Sequence, residues 1–253
     1  MARQEIKIGV ALLAAALLAG CGTNANYNWG WYLFNPALPK GQSNLLFLLD
    51  GVSLTLALSF TAIAVSIVLG VILAVAGLSP LRLVRGAART YVECFRAIPL
   101  LVLLLWVYYG LPVVTSLELN AFTAGVLSLA LSDAAFEAEI FRAGLQSVPK
   151  GQREAAETLG LSRWKTFRHV IFPQAIRTIL PALGNQFIYV LKMSSLVSVV
   201  GLQELTRRAN ELNVTEYRPL EIYTVLVLEY LLLILAVSWA VRRLERKLAF
   251  APR

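Results

Sequence analysis

The feature of the sequence that most constrains the fold is an uncharged stretch from Gly51 to Leu81. A helix needs roughly 20 mostly apolar residues to cross a bilayer, and this stretch exceeds that length. Charged residues make up 15% of the chain and hydrophobic residues 58%, whereas soluble domains have about 25% charged residues. The chain is therefore predicted to be an all-α integral membrane protein.

Five segments are apolar enough to be membrane spans. Their predicted bounds are Gly51–Leu78, Tyr91–Val113, Ala121–Arg142, Thr178–Leu202 and Ile222–Val241. The sequence has no internal repeat and no second soluble domain, so residues 49–248 are predicted to form one five-helix membrane domain. Its two cysteines, Cys21 and Cys94, give neither a disulfide framework nor the spacing of a metal site. No metal and no cofactor are expected.

The segments between the spans alternate in charge. Seventeen basic residues fall in the amino end, the carboxyl tail and two of the loops, and only four fall in the remaining segments. Because cytoplasmic loops carry the excess of Lys and Arg, the first core span is expected to enter from the outside and the carboxyl end to be cytoplasmic. The net charge of +8 thus reflects membrane orientation. Without a basic groove that contains aromatic residues, it does not indicate nucleic-acid binding.

Residues 1–21 have the pattern of a secretory signal, since two basic residues precede the short apolar run Ile8–Gly20. The run ends in Leu18–Cys21, which resembles the lipobox of bacterial lipoproteins. Two interpretations stay open: cleavage before Cys21 with lipid attached to it, or a short uncleaved helix. Both place residues 22–48 outside. This stretch is rich in Trp and Tyr, which favour the membrane–water boundary, and is predicted to be a periplasmic interfacial segment.

The long loop, residues 143–177, is patterned rather than irregular. A short helix is predicted over Arg153–Leu159, ended by Gly160, and a second over Ser162–Phe172, capped by Ser162 and ended by Pro173. Two short helices that project from a bundle into the cytoplasm are typical of a docking element for a soluble partner.

This loop resembles the EAA loop of bacterial ABC importer permeases. The matching residues are Glu154, Ala155, Ala156, Gly160, Val170, Phe172 and Pro173, of which Val170 and Phe172 are conservative departures from the Ile-x-Leu-Pro ending of the consensus. Three further stretches resemble the branch of this family that transports polar amino acids, such as histidine, glutamine and glutamate. They are Tyr91–Leu100, Ala138–Gly144 and Lys192–Leu196, and the resemblance as a whole covers about Leu45–Leu248.

The resemblance implies a five-helix permease in the inner membrane that pairs with a second permease subunit, as a homodimer or a heterodimer. It also implies a periplasmic amino-acid-binding protein and a cytoplasmic ATPase subunit that receives the loop. The implied coupling residues are Gly151, Glu154, Ala155, Ala156, Gly160 and Pro173. The sequence has no G-x-x-x-x-G-K-[ST] pattern. The chain is therefore expected to be a pore subunit and not itself an enzyme, with ATP hydrolysis on the partner.

Ionisable residues within the spans are candidates for a substrate pathway because charges are costly in a bilayer. Asp133 and Glu137 share a helix face, so they need either a cation between them or a proton on one of them. The cation could be the substrate's ammonium or a structural arginine, and both alternatives stay open. Glu139 is expected to meet Arg142 at i+3. Arg96, before Pro99, is expected to bind a substrate carboxylate, to pair with Glu93, or to snorkel toward the cytoplasm. The remaining pathway candidates are Lys192, Ser194 and Ser195, and no role is assigned to Glu229 or His169.

Two other classes of membrane protein compete with the importer permease. An ion-gradient-driven secondary transporter of amino acids usually has an internal repeat, and it has no use for an EAA-like loop. A lipoprotein-like membrane anchor is suggested by Cys21 alone, and five spans with charges inside them do not favour it.

Overall fold

A computed structural model describes residues 27–248, and the prediction for residues 1–21, including Cys21, concerns residues outside that range. The described part contains a short 3-10 turn, Trp31–Phe34, and then a series of helices without a strand. In chain order the helices are α1 (Pro39–Gly77), α2 (Arg82–Ala97), α3 (Leu100–Thr115), α4 (Ala121–Gln146), α5 (Lys150–Thr158), α6 (Arg163–Val200), α7 (Leu205–Glu216) and α8 (Pro219–Leu248).

Four of these helices, α1, α4, α6 and α8, are long and apolar enough to cross a membrane, and the bent pair α2–α3 gives a fifth when it is counted as one span. The bend is 102°. It forms because Ile98 and Pro99 are both extended, with ψ of 124° and 130°, and the residue before a proline is disfavoured in helical geometry. With the bent pair counted as one span, the total is the predicted five, and the span predicted over Tyr91–Val113 is broken at Pro99.

Two other prolines follow π-helical turns, and the helix continues past each of them. The turn Phe167–Ile171 precedes Pro173, and the turn Trp106–Gly110 precedes Pro112. In each turn a backbone N–H bonds five residues back, so the wider ring accommodates a residue that has no N–H to donate. The helix that begins after Ser162 was predicted to end at Pro173. That prediction is wrong, because α6 continues through the proline to Val200.

The core forms where α1 packs along α4 and α6. Leu58 and Ala62 of α1 meet Leu129 of α4 and Leu191 of α6 in one buried cluster. Towards the long loop, Gly144 allows a closer approach, since a Cβ there would lie 2.2 Å from Ile179. We use "loop end" for the end of the bundle that carries α5, and "α7 end" for the opposite end.

A clasp around Glu221 ties the start of the described chain to the α7 end. Glu221 is fully buried, and it accepts hydrogen bonds from the Tyr27 hydroxyl at 2.6 Å and from the Gly30 N–H. The hydrogen bond that the Tyr27 hydroxyl donates to Glu221 raises the pKa of that hydroxyl. Beside the clasp, Trp29 and Trp31 stack with ring centroids 5.7 Å apart, and both are exposed. Exposed indole rings favour the membrane–water boundary, and α1 already begins at Pro39, inside the stretch 22–48 that was predicted to be interfacial.

Candidate functional site

The loop between α4 and α6 projects large apolar side chains away from the bundle. Leu159 is 81% exposed and Trp164 is 66% exposed. Gly160 lies between them with φ of +78°, a backbone conformation that disfavours any residue with a side chain. As predicted, the first loop helix stops before Gly160, and the Ser162 hydroxyl caps the start of α6 by accepting from the Lys165 N–H at 3.4 Å. The predicted start at Arg153 is wrong, because the helix begins at Lys150.

The predicted coupling residues do not all lie on one face of the loop. Glu154 and Ala155 are exposed, whereas Ala156 is buried and its carbonyl accepts the Leu161 N–H at 3.1 Å. A side chain at Gly151 would meet no neighbour within 4 Å, and Pro173 lies further along, in α6. Ala156 therefore lies on the covered side of the loop, and Glu154 and Ala155 present its outer surface.

Asp133 of α4 is 3% exposed and is satisfied by neutral donors. It accepts from the Ser66 hydroxyl of α1 at 2.8 Å and from the side-chain amide of Gln186 of α6. Among the described residues no basic side chain pairs with Asp133 within 4.0 Å. The structural arginine considered from the sequence is therefore absent at this position, and a hydroxyl and an amide take its place.

Glu137 lies one turn further along α4, beside Asp133 and Ser66. It is fully buried, and neither carboxyl oxygen has a hydrogen-bond partner in the described part of the chain. Its Cβ lies so close to α1 that a Cβ at Gly70 would be 2.7 Å away. The shared face of Asp133 and Glu137 was predicted correctly, and it is turned into the interior of this subunit.

Two further pathway candidates predicted from the sequence, Glu139 and Arg96, line cavities. Glu139 pairs with Arg142 at 2.5 Å, as the i,i+3 spacing predicts. Arg96 does not form the considered ion pair with Glu93, and its guanidinium instead lies 5.4 Å from the centre of the Phe136 ring. Arg96 also lines a cavity of about 240 Å³ at the bend between α2 and α3.

Lys192, Ser194 and Ser195 are separated from this group. Lys192 is exposed and lies six residues after Gln186, about 9 Å further along the helix axis. The hydroxyls of Ser194 and Ser195 donate to the carbonyls of Leu191 and Lys192, at 2.7 and 2.8 Å. The structure therefore does not bring these three residues to the acidic pair of α4.

Sequence reasoning missed the partners of Asp133. Ser66 and Gln186 lie 67 and 53 residues away from it in the chain. A serine in an uncharged span and a glutamine in an apolar helix are the available signals, and neither indicates its partner. Gly70, which admits Glu137, gave no signal beyond being a glycine inside a long helix.

Comparisons with known proteins point to a family of membrane transport proteins. Residues 66–250 match the family described as "Binding-protein-dependent transport system inner membrane component". The glutamine transport system permease protein GlnP of Escherichia coli strain K12 is 36% identical over 219 residues, which is 86% of this chain and 97% of that protein. The arginine transport system permease protein ArtQ of Bacillus subtilis strain 168 is 35% identical over 215 residues, which is 85% of this chain and 96% of that protein.

A solved structure agrees with these relatives. The crystal structure of an amino acid ABC transporter with histidines contains a chain that is 39% identical, with a TM-score of 0.77. The similarity covers 81% of this chain and 96% of that one. The ion-gradient-driven alternative finds no support among these proteins. The apolar helices and the family match together identify a multi-pass protein of the inner membrane, and the chain belongs to the family of inner-membrane components of binding-protein-dependent transport systems.

Proposed function

We propose that this chain is the permease subunit of an ATP-driven importer of amino acids. The observation that carries the proposal is the loop, in which Leu159 and Trp164 are exposed on either side of a left-handed glycine. Large apolar side chains on a projecting loop indicate a protein partner. In the EAA pattern that partner is a cytoplasmic ATPase subunit. The relatives named for glutamine and arginine support an amino acid as the cargo.

The proposed orientation places the loop end in the cytoplasm and the α7 end in the periplasm. It is supported by the excess of basic residues in the segments of the loop end. The carboxyl end, after α8, is then cytoplasmic, and the α7 end faces the binding protein. Impermeant cysteine reagents applied to intact cells are expected to label a cysteine placed at Asn213 but not one placed at Gln152. Labelling at Gln152 from outside would contradict the orientation and the loop's role together.

The amino-terminal segment is proposed to carry residues 22–48 to the periplasmic side by one of two routes. If the lipobox is used, the mature chain starts at Cys21 and carries acyl groups. If it is not, the chain keeps residue 1 or 2 at its terminus, and transport then tolerates Cys21→Ser. The intact mass of the purified subunit decides between the routes, because removal of twenty residues and addition of acyl chains change it in opposite and calculable ways.

The pathway is proposed to run between this chain and a second permease subunit, and the geometry divides the candidate residues. Arg96 and Glu139 line cavities and are assigned to the pathway. Asp133 and Glu137 are buried among α1, α4 and α6 and are assigned to holding those helices together. The exposed Lys192 and its neighbouring pair, Ser194 and Ser195, are assigned to the periplasmic half of the pathway.

Reconstitution tests the proposed function. The permease, its ATPase and its binding protein are placed in liposomes, and uptake of a panel of radiolabelled amino acids is measured. Uptake is expected to require ATP hydrolysis and to continue when ionophores collapse the proton and sodium gradients. A catalytically dead ATPase variant is the control. Uptake that follows an ion gradient and ignores ATP would overturn the proposal and favour the secondary transporter.

A further inference from the structure

A second and larger cavity opens at the loop end, between α1, α2 and α4. Its volume is about 620 Å³. Its charged lining residues are Arg85, Arg89, Glu93, Arg96, Glu139 and Arg142. A volume of this size accommodates a small molecule, and the lining is more charged than that of a typical apolar pocket.

Three of the four arginines of α2 form a row along one face of that helix. Arg85, Arg89 and Arg96 are four and seven residues apart, so they recur after about one and two turns, at roughly 6 and 10 Å along the axis. The row begins beside Gln146, near the end of α4, and runs inward to Phe136. It therefore extends from the mouth of the cavity towards the middle of the bundle.

The charges of the cavity are not balanced within the described chain. Arg142 is held by Glu139 at 2.5 Å. None of the three arginines of the row has a carboxylate within 4.0 Å among the described residues. Glu93 is the one acidic lining residue that is not paired, so three arginines share the cavity with one free carboxylate. Such a lining attracts anionic groups and repels cations.

The row is continuous with the cavity at the bend. Arg96 lines both cavities. The bend also starts α3 at Pro99, so the first N–H groups of α3, before that of Leu103, have no partner within the helix. The positive end of a helix favours a negative group. An anionic group at Arg96 therefore has a continuous basic route to the loop end.

We infer that the arginine row of α2 receives the carboxylate of the cargo as it leaves towards the cytoplasm, and that the cargo is consequently a zwitterionic or acidic amino acid rather than a cationic one. This inference rests on the proposed function and assigns the cargo class of the same pathway. Arginine is suited to the role because its guanidinium binds a carboxylate through two parallel hydrogen bonds.

The competing explanation is that the row only fixes membrane orientation, as basic residues near cytoplasmic ends do. Arg82 provides the control for it. This residue lies on the same helix, is exposed, and does not line the cavity. If orientation is the whole role, replacing Arg82 and replacing Arg89 have the same effect.

The test measures binding to the detergent-solubilised permease–ATPase complex without the binding protein, so that only the permease selects. Equilibrium dialysis at low ionic strength is done with radiolabelled glutamate, glutamine and arginine. Glutamate is expected to bind at least tenfold more tightly than arginine, with glutamine between them. Arg89→Gln and Arg85→Gln are each expected to weaken glutamate binding about tenfold, as loss of a charge-assisted hydrogen bond does, and Arg82→Gln to leave it unchanged.

Three outcomes overturn the inference: arginine binding as tightly as glutamate, no binding of any of the three, or equal effects of Arg82→Gln and Arg89→Gln. Uptake by the reconstituted wild-type importer is measured in parallel. If uptake depends on ATP and any of these outcomes occurs, the proposed role of the arginine row is wrong and the proposed importer function still holds. Absence of ATP-dependent uptake for every amino acid removes the proposed function itself.

Discussion

Apart from Glu118, the acidic side chains of the α7 end are matched by partners within the described chain, whereas several basic side chains at the loop end are left without carboxylates. At the α7 end, the matched residues are Asp50, Glu204, Glu211, Glu216 and Glu221. At the loop end, Arg163, Lys165 and Arg168 have no carboxylate within 4.0 Å among the described residues. Arg153 pairs only with Glu157 on its own short helix.

The difference indicates which end is complete by itself. Buried charges that are hydrogen-bonded stabilise a fold only as a satisfied set, and removing one member leaves the others uncompensated. Unmatched charges and exposed apolar side chains contribute little to the subunit's own stability, and they are available to a partner or a cargo. Substitutions at the α7 end are therefore expected to change stability, and substitutions at the loop end to change coupling.

The largest effect is expected from Gly160→Val compared with Gly201→Val. Both glycines have positive φ, +78° and +90°, and a Cβ added at either position would have no neighbouring atom within 4 Å. Each valine is strained by a similar amount, about 1–3 kcal/mol. Gly160→Val is expected to abolish ATPase co-purification and uptake, whereas Gly201→Val lowers the melting temperature and keeps both. Equal loss of co-purification in the two variants would assign the effect to strain and not to the loop.

Glu221→Ala is expected to have the next largest effect, on stability. The substitution leaves the Tyr27 hydroxyl and the Gly30 N–H without their acceptor and Arg218 without its nearby carboxylate. Loss of such a buried charged partner costs about 3 kcal/mol. Thermal unfolding of the purified subunit measures it.

The matched control for that variant is Glu216→Ala, which removes only the ion pair with Lys40, whose own side chain is 55% exposed. Surface pairs contribute about 0–1 kcal/mol, so this control is expected to melt close to the wild type. ATPase co-purification is expected to stay normal in both variants. Equal melting temperatures of the two variants would show that the clasp does not stabilise the α7 end.

Trp164→Ser tests the loop end, where a substitution is expected to change coupling rather than stability. The indole is 66% exposed and is followed by Phe167, whose ring centroid lies 5.9 Å away. Its loss is expected to leave the melting temperature of the isolated subunit within about 2 °C, since exposed substitutions change stability little. The affinity for the ATPase is expected to fall about tenfold, as for a single aromatic residue at an interface. Unchanged affinity would place the ATPase contact elsewhere on the loop.

The sequence predicted the two ends unequally, for a physical reason. The helix stop at Gly160, the Ser162 cap and the Glu139–Arg142 pair depend on residues within four positions of one another, and all three were predicted. The clasp joins residues 191 and 194 positions apart, and the acidic residues of α4 depend on Ser66, Gly70 and Gln186 from other helices. Such contacts exist only after the helices pack, so a single sequence does not indicate them.

The bend between α2 and α3 was only partly predictable from the sequence. The position of Pro99 predicts a disturbed helix, but the angle of 102° depends on how both segments pack. The π turns before Pro112 and Pro173 are similar. A proline predicts an interruption, and only the structure tells whether the helix ends there or widens and continues.

The smallest effect is expected from Glu204→Gln at the α7 end. Glu204 is fully buried, and it accepts from the Arg207 N–H at 2.8 Å and from the Tyr230 hydroxyl at 2.9 Å. Burial is the main cause that raises the pKa of Glu204, against the opposing effect of these hydrogen bonds. Because the folded state holds this proton more tightly than the unfolded state, the residue's contribution to stability falls as pH rises from the ordinary glutamate pKa, about 4.3, towards the raised value. Glutamine has a similar shape and no proton to lose. The variant is therefore expected to melt within about 2 °C of the wild type at low pH and to lose less stability as the pH is raised. Thermal unfolding of both proteins between pH 4 and pH 8 measures the difference, and parallel curves would show that Glu204 binds its proton no more tightly in the folded protein than in the unfolded chain.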